Sequence, residues 1–278
     1  MLTLTLITKL PHVARHAHAC GVKRIFVDME ILGKHERQGH LSTVISDHTL
    51  EDVAAVREAV PTAELMVRVN PLHSGTKAEV DGAIAAGADL LMLPMFETAR
   101  ELAKFSEIVD GRVGIVPLVE TRGAAVDIAR VARVRGLQEV FIGLNDLHLS
   151  LGLKFMFQLL SNGTVERLVE QIRETGVPYG FGGIARVGEG TLPARLVLGE
   201  HVRLRSRSVI LSRAFHKGNE RIDQDDDFRQ AIAAVRACEG ELDRRSHAQI
   251  WSDRGELRQI VDEIVRGRDR VEKPREAA

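Results

Sequence analysis

The sequence is short of cysteine, of long apolar runs and of excess charge, and each shortage excludes a class of protein. Two cysteines, Cys20 and Cys238, among 278 residues are too few for a disulfide framework, which is typical of a reducing compartment. No run approaches the roughly 20 apolar residues of a membrane span. A formal charge of −1 leaves no basic excess for nucleic acid. We therefore expect a cytoplasmic protein that binds neither membranes nor nucleic acid.

Short apolar runs alternate with helical periodicity along most of the chain. The first run alternates apolar and polar residues as a strand does, and it lacks the basic start of a signal peptide. Strands that alternate with helices pair in parallel, and eight of them favour a closed (β/α)8 TIM barrel over an open doubly wound sheet. The predicted strands are Leu2–Ile7, Arg24–Met29, Leu65–Val69, Leu90–Pro94, Gly114–Val119, Val140–Gly143, Tyr179–Gly182 and Ser208–Leu211.

The pattern changes beyond Phe215, where two amphipathic helices are predicted. The first would complete the barrel, and the second would form a helical extension used for packing or for contacts between subunits. We assign residues 1–240 to a catalytic barrel domain and residues 241–278 to a C-terminal helical arm with a charged tail.

Two neighbouring strands of the predicted barrel each end in a carboxylate. The fifth runs into Glu120 and the sixth into Asp146. Because the carboxyl ends of barrel strands share one face, we expect these acids side by side, where a hard divalent cation relieves their repulsion. Mg2+ is the expected ion, with Mn2+ or Co2+ as alternatives. In the competing interpretation, each carboxylate only caps the helix that follows it.

Charged residues at the ends of the second and third strands are further candidates. Arg68 lies in an apolar strand, and a buried charge is rarely left unpaired. It therefore either pairs with barrel carboxylates or binds an anionic substrate through its forked donors, and we favour the substrate role. Asp28 or Glu30 would accept from Arg68 or from metal-bound water, or would simply anchor the loop. Arg68 and Glu30 are our first two catalytic candidates.

Two loop residues complete the set of candidates. His48 ends the long polar loop after the second strand and is a candidate proton shuttle. The alternative is that Asp47 or Thr49 caps the next helix and His48 is exposed. Arg186 follows the glycine-rich turn after the seventh strand, where barrels often hold phosphate, so it is a candidate for binding an anionic substrate. A tight turn with close backbone approach explains those glycines equally well.

Four stretches, taken in order, resemble the HpcH/HpaI aldolase and citrate lyase β-subunit family of the phosphoenolpyruvate/pyruvate-type TIM barrels. They are Val67–Asn70, Gly87–Pro94, Val119–Thr121 and Ile142–Leu147. The resemblance implies that Glu120 and Asp146 bind a divalent metal and that Arg68 contacts a 2-oxo acid or its enolate. It also implies that a substrate carboxylate is held by the backbone of Leu144, Asn145 and Asp146.

The activity implied by this resemblance is that of a metal-dependent carbon–carbon lyase of the class II aldolase type. It would act through the enolate of pyruvate or a related 2-oxo acid, with an aldehyde as the second substrate. No predicted strand presents a lysine, which favours this chemistry over a Schiff base. The alternatives are a citryl-CoA-lyase-like enzyme acting on an acyl-CoA, and an inactive barrel that serves as a scaffold or ligand sensor. Family members commonly exchange a C-terminal helix, which implies a homo-oligomer, a trimer or a hexamer.

The sequence departs from both branches of the family after the second strand. The aldolase branch has a histidine directly after Asp-x-Glu, where this chain has Ile31. The citrate lyase branch has a second aspartate, followed by a lysine and an Ala-Arg pair, which Lys34 and Arg37 echo only in part. Phe155–Phe157 matches neither branch. The proton-transferring group therefore stays open, and we expect a distinct substrate.

Overall fold

The computed structural model describes residues 1–33, 48–216, 222 and 226–272. In these ranges eight parallel strands close into a barrel in chain order, with β1 beside β8. The predicted barrel is therefore confirmed, and each predicted strand is found with its ends shifted by no more than two residues. The strands are β1 Thr3–Ile7, β2 Arg24–Asp28, β3 Glu64–Arg68, β4 Leu90–Leu93, β5 Gly114–Val119, β6 Val140–Ile142, β7 Tyr179–Ile184 and β8 Ser208–Leu211.

Helices connect the strands and cover the outside of the barrel. A 3-10 turn, Arg213–Phe215, follows β8. No helix in the described ranges is both long enough and apolar enough to cross a bilayer. The helices are α1 Pro11–Ala19, α2 Leu50–Ala59, α3 Thr76–Ala85, α4 Ala99–Val109, α5 Arg122–Val126, α6 Ile128–Val131, α7 Leu144–Ser150, α8 Gln158–Ser161, α9 Thr164–Arg173, α10 Ala194–Arg203, α11 Asp227–Asp243 and α12 His247–Glu272.

The barrel interior is layered, because alternate residues of each strand point inward. On β2 these positions are Arg24, Phe26 and Asp28. The middle layer is apolar, and near the amino ends of the strands Arg24 pairs with Glu64 at 2.5 Å and with Glu139 at 2.9 Å. This apolar middle layer separates the ion cluster from the charged residues at the carboxyl ends of the strands. Its residues are Phe26, Met66, Leu90, Met92, Val116, Leu118 and Phe141.

The C-terminal extension lies against its own barrel. Helix α11 ends at Asp243, slightly beyond the predicted end of the barrel domain. Helix α12 then contacts α8 and α10 of the same chain, where Leu257 and Val261 are buried. The predicted helical extension is thus present. The exchange of this helix between subunits stays a prediction.

Candidate metal and substrate site

The strand register brings the predicted site residues to one rim of the barrel. Asp28 and Arg68 are directly opposite each other at the ends of β2 and β3. Glu120 follows the last residue of β5, and Asp146 is the third residue of α7, which begins two residues after β6. Because β5 pairs with β6, Glu120 and Asp146 follow neighbouring strands of the barrel, as the sequence predicts.

Arg68 is held by two carboxylates at this rim. Its Nε and Nη2 donate to the two oxygens of Asp28 at 2.7 and 2.8 Å, and Nη2 also lies 3.2 Å from Glu30 Oε2. Burial lowers the pKa of Arg68, but the charges and hydrogen bonds of these acids outweigh it and leave the pKa raised. Nη1 forms no hydrogen bond with any described residue. The alternative in which Arg68 pairs with barrel carboxylates is therefore present in the structure. Nη1 is the nitrogen of Arg68 that is left to donate to a substrate.

Glu120 is a buried acid in an acidic environment. Its side chain accepts from the Met95 amide at 3.1 Å, the residue is 2% exposed, and it forms no ion pair with a described residue. Burial is the largest influence and raises the pKa of Glu120 to about 8; the charges of Asp146 and Glu30 act in the same direction, whereas Arg68 opposes them. Glu120 and Asp146 thus lie close enough to repel each other.

Two backbone features make room for Glu120 and orient it. Met95 adopts a left-handed conformation, φ 55°, which for a residue other than glycine costs about 1–2 kcal/mol, and this conformation aims its N–H at the Glu120 carboxylate. A Cβ on Gly143 would lie 3.1 Å from both Cβ and Oε2 of Glu120. Glycine at position 143 therefore leaves the space that the Glu120 side chain occupies.

These residues fit a hard divalent cation. Asp28 and Glu30 contact the Arg68 guanidinium, and Glu120, near Asp146, is a further acid at this rim, so among the described residues of this site negative charge is in excess. Oxygen donors are the ligands that Mg2+ prefers, and with few protein ligands it keeps positions for water and substrate. No group of three or more His, Cys, Asp or Glu is placed to hold a metal within the part of the chain that the structure describes. Glu120 and Asp146 are a pair of acids and fall short of such a group.

His48 lies at the same rim. Its Nδ1 accepts the Asp28 peptide N–H at 2.9 Å, so in the neutral ring Nε2 carries the proton. Thr49 caps α2 in a reciprocal capping box with Asp52, as the alternative interpretation of this loop anticipated. The cap and the contact of His48 with the rim are both present. Lys34, Arg37 and Asp47 lie outside the described residues.

Arg186 is already engaged by protein groups. Nη1 donates to Asp227 Oδ2 at 2.6 Å and Nη2 to the Phe215 carbonyl at 2.5 Å, so its side chain ties the loop after β7 to the start of α11. Its predicted role toward an anionic substrate stays a prediction. So does the predicted carboxylate site at Leu144, Asn145 and Asp146, whose amides lie in the first turn of α7 and lack intrahelical acceptors.

Three contributions to this rim were not assigned from the sequence. Asp28 was considered beside Glu30, but only Glu30 was selected, whereas the bidentate partner of Arg68 is Asp28. The Met95 amide contributes through its backbone, which residue type does not reveal. His148 is buried on α7, and its Nδ1 lies 3.2 Å from the Leu144 carbonyl oxygen. The feature of the sequence that could have pointed to His148 is its position two residues after Asp146.

The fold and this rim define a class, the (β/α)8 barrels that carry acids and a paired arginine at the carboxyl ends of their strands. The family model described as HpcH/HpaI aldolase/citrate lyase matches residues 9–157, more than half of the chain. The protein belongs to this family, whose members are lyases and aldolases. No curated protein sequence matches the chain.

Solved structures of the same family share the fold. The HpcH/HpaI aldolase from Desulfitobacterium hafniense DCB-2 has a TM-score of 0.62 at 16% identity, over 80% of this chain and 92% of that one. An HpcH/HpaI aldolase/citrate lyase family protein from Burkholderia cenocepacia J2315 has a TM-score of 0.59 at 19% identity, over 87% and 94%. CitE from Mycobacterium tuberculosis, in complex with magnesium, acetoacetate and coenzyme A, has a TM-score of 0.57 at 17% identity, over 89% and 82%.

Proposed function

We propose that the protein is a divalent-metal-dependent carbon–carbon lyase that acts through the enolate of pyruvate or a related 2-oxo acid. The observation that carries this proposal is the buried Glu120, which forms no ion pair with a described residue and whose pKa is raised in part by the charge of Asp146, next to the fixed guanidinium of Arg68. Glu120 and Asp146 would hold the ion, Mg2+ by preference and Mn2+ or Co2+ as substitutes. When bound, the ion would supply Lewis-acid stabilisation of negative charge on a substrate oxygen.

We assign to Arg68 the role of binding the substrate anion. Asp28 and Glu30 hold its guanidinium from one side, so the direction of Nη1 is set before substrate arrives. A fixed donor of this kind stabilises developing charge without reorganisation. In this proposal Glu30 acts through Arg68, as a positioning residue.

Proton transfer is assigned to His48. Ile31 stands where the aldolase branch has its histidine, so another group must move the proton. The Asp28 amide fixes the His48 ring through Nδ1, and Nε2, the nitrogen that carries the proton in the neutral ring, is the atom proposed to exchange a proton with substrate. Histidine is the side chain most often used for proton transfer in catalysis. The amides of Leu144, Asn145 and Asp146, together with Arg186, are proposed to contact carboxylate or other anionic groups of the substrates.

Enolate formation can be tested without knowing the second substrate. In D2O with Mg2+, the enzyme should exchange the methyl protons of pyruvate for deuterium, as followed by NMR. Exchange should stop with EDTA and in Asp146→Asn. The matched control is Asp81→Asn, because Asp81 is a partly exposed acid on α3 that is paired with Lys77 and Arg112. Exchange that persists with EDTA would refute metal-enolate chemistry.

The assignment of Arg68 is tested in the same assay. Arg68→Lys keeps a charge but loses the fork, so exchange should slow by roughly 100- to 1,000-fold, the usual effect of losing one oxyanion donor. Metal binding should persist, because Glu120 and Asp146 are unchanged. Exchange near the wild-type rate would reduce Arg68 to a structural residue.

The other two hypotheses predict different outcomes. An acyl-CoA lyase should exchange the methyl protons of acetyl-CoA and leave those of pyruvate in place. CitE, a structural relative, is described in complex with coenzyme A. A scaffold or ligand sensor without activity should exchange neither compound.

A further inference from the structure

Helix α12 packs against α8 and α10, and its last turns contact the segment that follows α7. It spans 26 residues, His247–Glu272, which is about 39 Å at 1.5 Å per residue. Arg254 Nη2 donates to Glu166 Oε2 of α9 at 2.8 Å, and Leu257 and Val261 are buried further along. The helix is thus fixed along its length before its final turns.

Near the end of α12, Arg268 clamps the chain that follows α7. Its guanidinium carbon lies 4.9 Å from the centre of the Phe155 ring, and Nη1 donates to the Lys154 carbonyl oxygen. Phe155 packs edge-on against Phe157 at 5.3 Å, and both rings are buried. The aromatic stretch that matches neither branch of the family is therefore where the C-terminal helix contacts this segment.

The clamped segment is continuous with the helix that bears Asp146. The Leu153 amide donates to the His148 carbonyl at 2.8 Å, and His148 in turn contacts the Leu144 carbonyl oxygen at 3.2 Å. Helix α7 has seven residues, too few to be stable alone. Its orientation must therefore be imposed by tertiary contacts, which are the packing of its buried Leu144 and Leu147 and the segment that follows its last residue.

We propose that Arg268 is a positioning residue that locks residues 151–157 and thereby holds α7 in the orientation in which Asp146 binds metal. This inference rests on the proposed function, because it needs a metal at Glu120 and Asp146. It assigns the C-terminal helix a role at the metal site, through the contacts of Arg268 with Phe155 and Lys154.

The test is the affinity for Mn2+, measured by electron paramagnetic resonance on the full chain. Arg268→Ala should weaken Mn2+ binding roughly fivefold, from the loss of one exposed cation–π contact and one hydrogen bond. The matched control is Arg266→Ala, because the Arg266 Nε donates to the Asp262 carbonyl of its own helix. Thermal unfolding without metal should be alike for the two variants. A purely structural role would lower only the unfolding temperature.

A second variant separates the possible outcomes. Phe155→Leu keeps an apolar side chain but removes the aromatic face, so it should weaken Mn2+ binding by itself and add little to Arg268→Ala in the double variant. Wild-type affinity in both single variants would overturn the positioning role. Failure of the wild type to bind Mn2+ would instead overturn the proposed function. If Arg268→Ala does not fold, Phe155→Leu and Arg268→Lys decide the question by the same measurement.

Discussion

Lowering the pH should weaken metal binding through Glu120. Burial raises the pKa of this carboxyl group to about 8, with Asp146 and Glu30 adding to the shift and Arg68 opposing it. Below that pH the folded, metal-free protein keeps the proton, and an arriving cation must displace it. In the metal-free protein, the free energy of unfolding falls as pH rises from the ordinary carboxyl range to about 8, because the unfolded chain releases the Glu120 proton at a lower pH than the folded protein does.

The size of the effect follows from the same pKa. Apparent affinity should fall tenfold for each pH unit below 8, hence about 100-fold at pH 6. Each bound ion should release about 0.9 proton at pH 7 and about 0.5 at pH 8. The shift from 4.5 to about 8 corresponds to a penalty on the order of 5 kcal/mol for ionised Glu120 in the metal-free fold.

Calorimetric titration with Mn2+ in two buffers of different protonation enthalpy counts the released protons. Glu120→Gln has no proton to lose, so any residual binding should be insensitive to pH. Tight wild-type binding at pH 7 with no proton released would refute the assignment of Glu120 as a metal ligand that is protonated in the metal-free enzyme.

Three further predictions concern stability. Arg24→Ala leaves Glu139 buried without its cation and should lower the free energy of unfolding by about 3–5 kcal/mol in urea titrations; a loss under ~1 kcal/mol would contradict the ion-cluster account. Burial lowers the pKa of His201 to about 3, so stability should fall by roughly 1.4 kcal/mol per pH unit as pH drops below 6.5. His201→Phe should flatten that slope. Parallel profiles of stability against pH for the wild type and the variant would contradict the assignment of this slope to His201. Asp110 has a φ of 52°, a left-handed conformation that glycine adopts more readily. Asp110→Gly should therefore raise the free energy of unfolding by about 0.5–1 kcal/mol, and an unchanged melting temperature would contradict this.

The fold was predictable because the apolar runs and their spacing are local properties of the chain. The predicted β5 and β8 have the bounds found in the structure, since glycine and polar residues delimit them. By contrast, β7 continues to Ile184, past the glycines that suggested its end. Pairing with β8 through a shift in register between Gly180 and Gly183 extends this strand, and such pairing is not visible in one strand's composition.

The candidate site was predictable where side chains follow strand ends. Glu120, Asp146 and Arg68 reach one rim because parallel strands share their direction. What the sequence could not supply is tertiary: the Met95 amide depends on a backbone angle, and the contact between Arg268 and Phe155 joins residues distant in the chain. No local pattern encodes either contact.

The central claim is that Glu120 and Asp146 share a divalent cation beside Arg68. A crystal grown with Mn2+ and oxalate tests it most directly, because the anomalous signal of manganese locates the ion without reference to the protein. We expect one peak at coordination distance from both carboxylates, with an oxalate oxygen facing Arg68 Nη1. A peak elsewhere, or two carboxylates too far apart to share one ion, would contradict it.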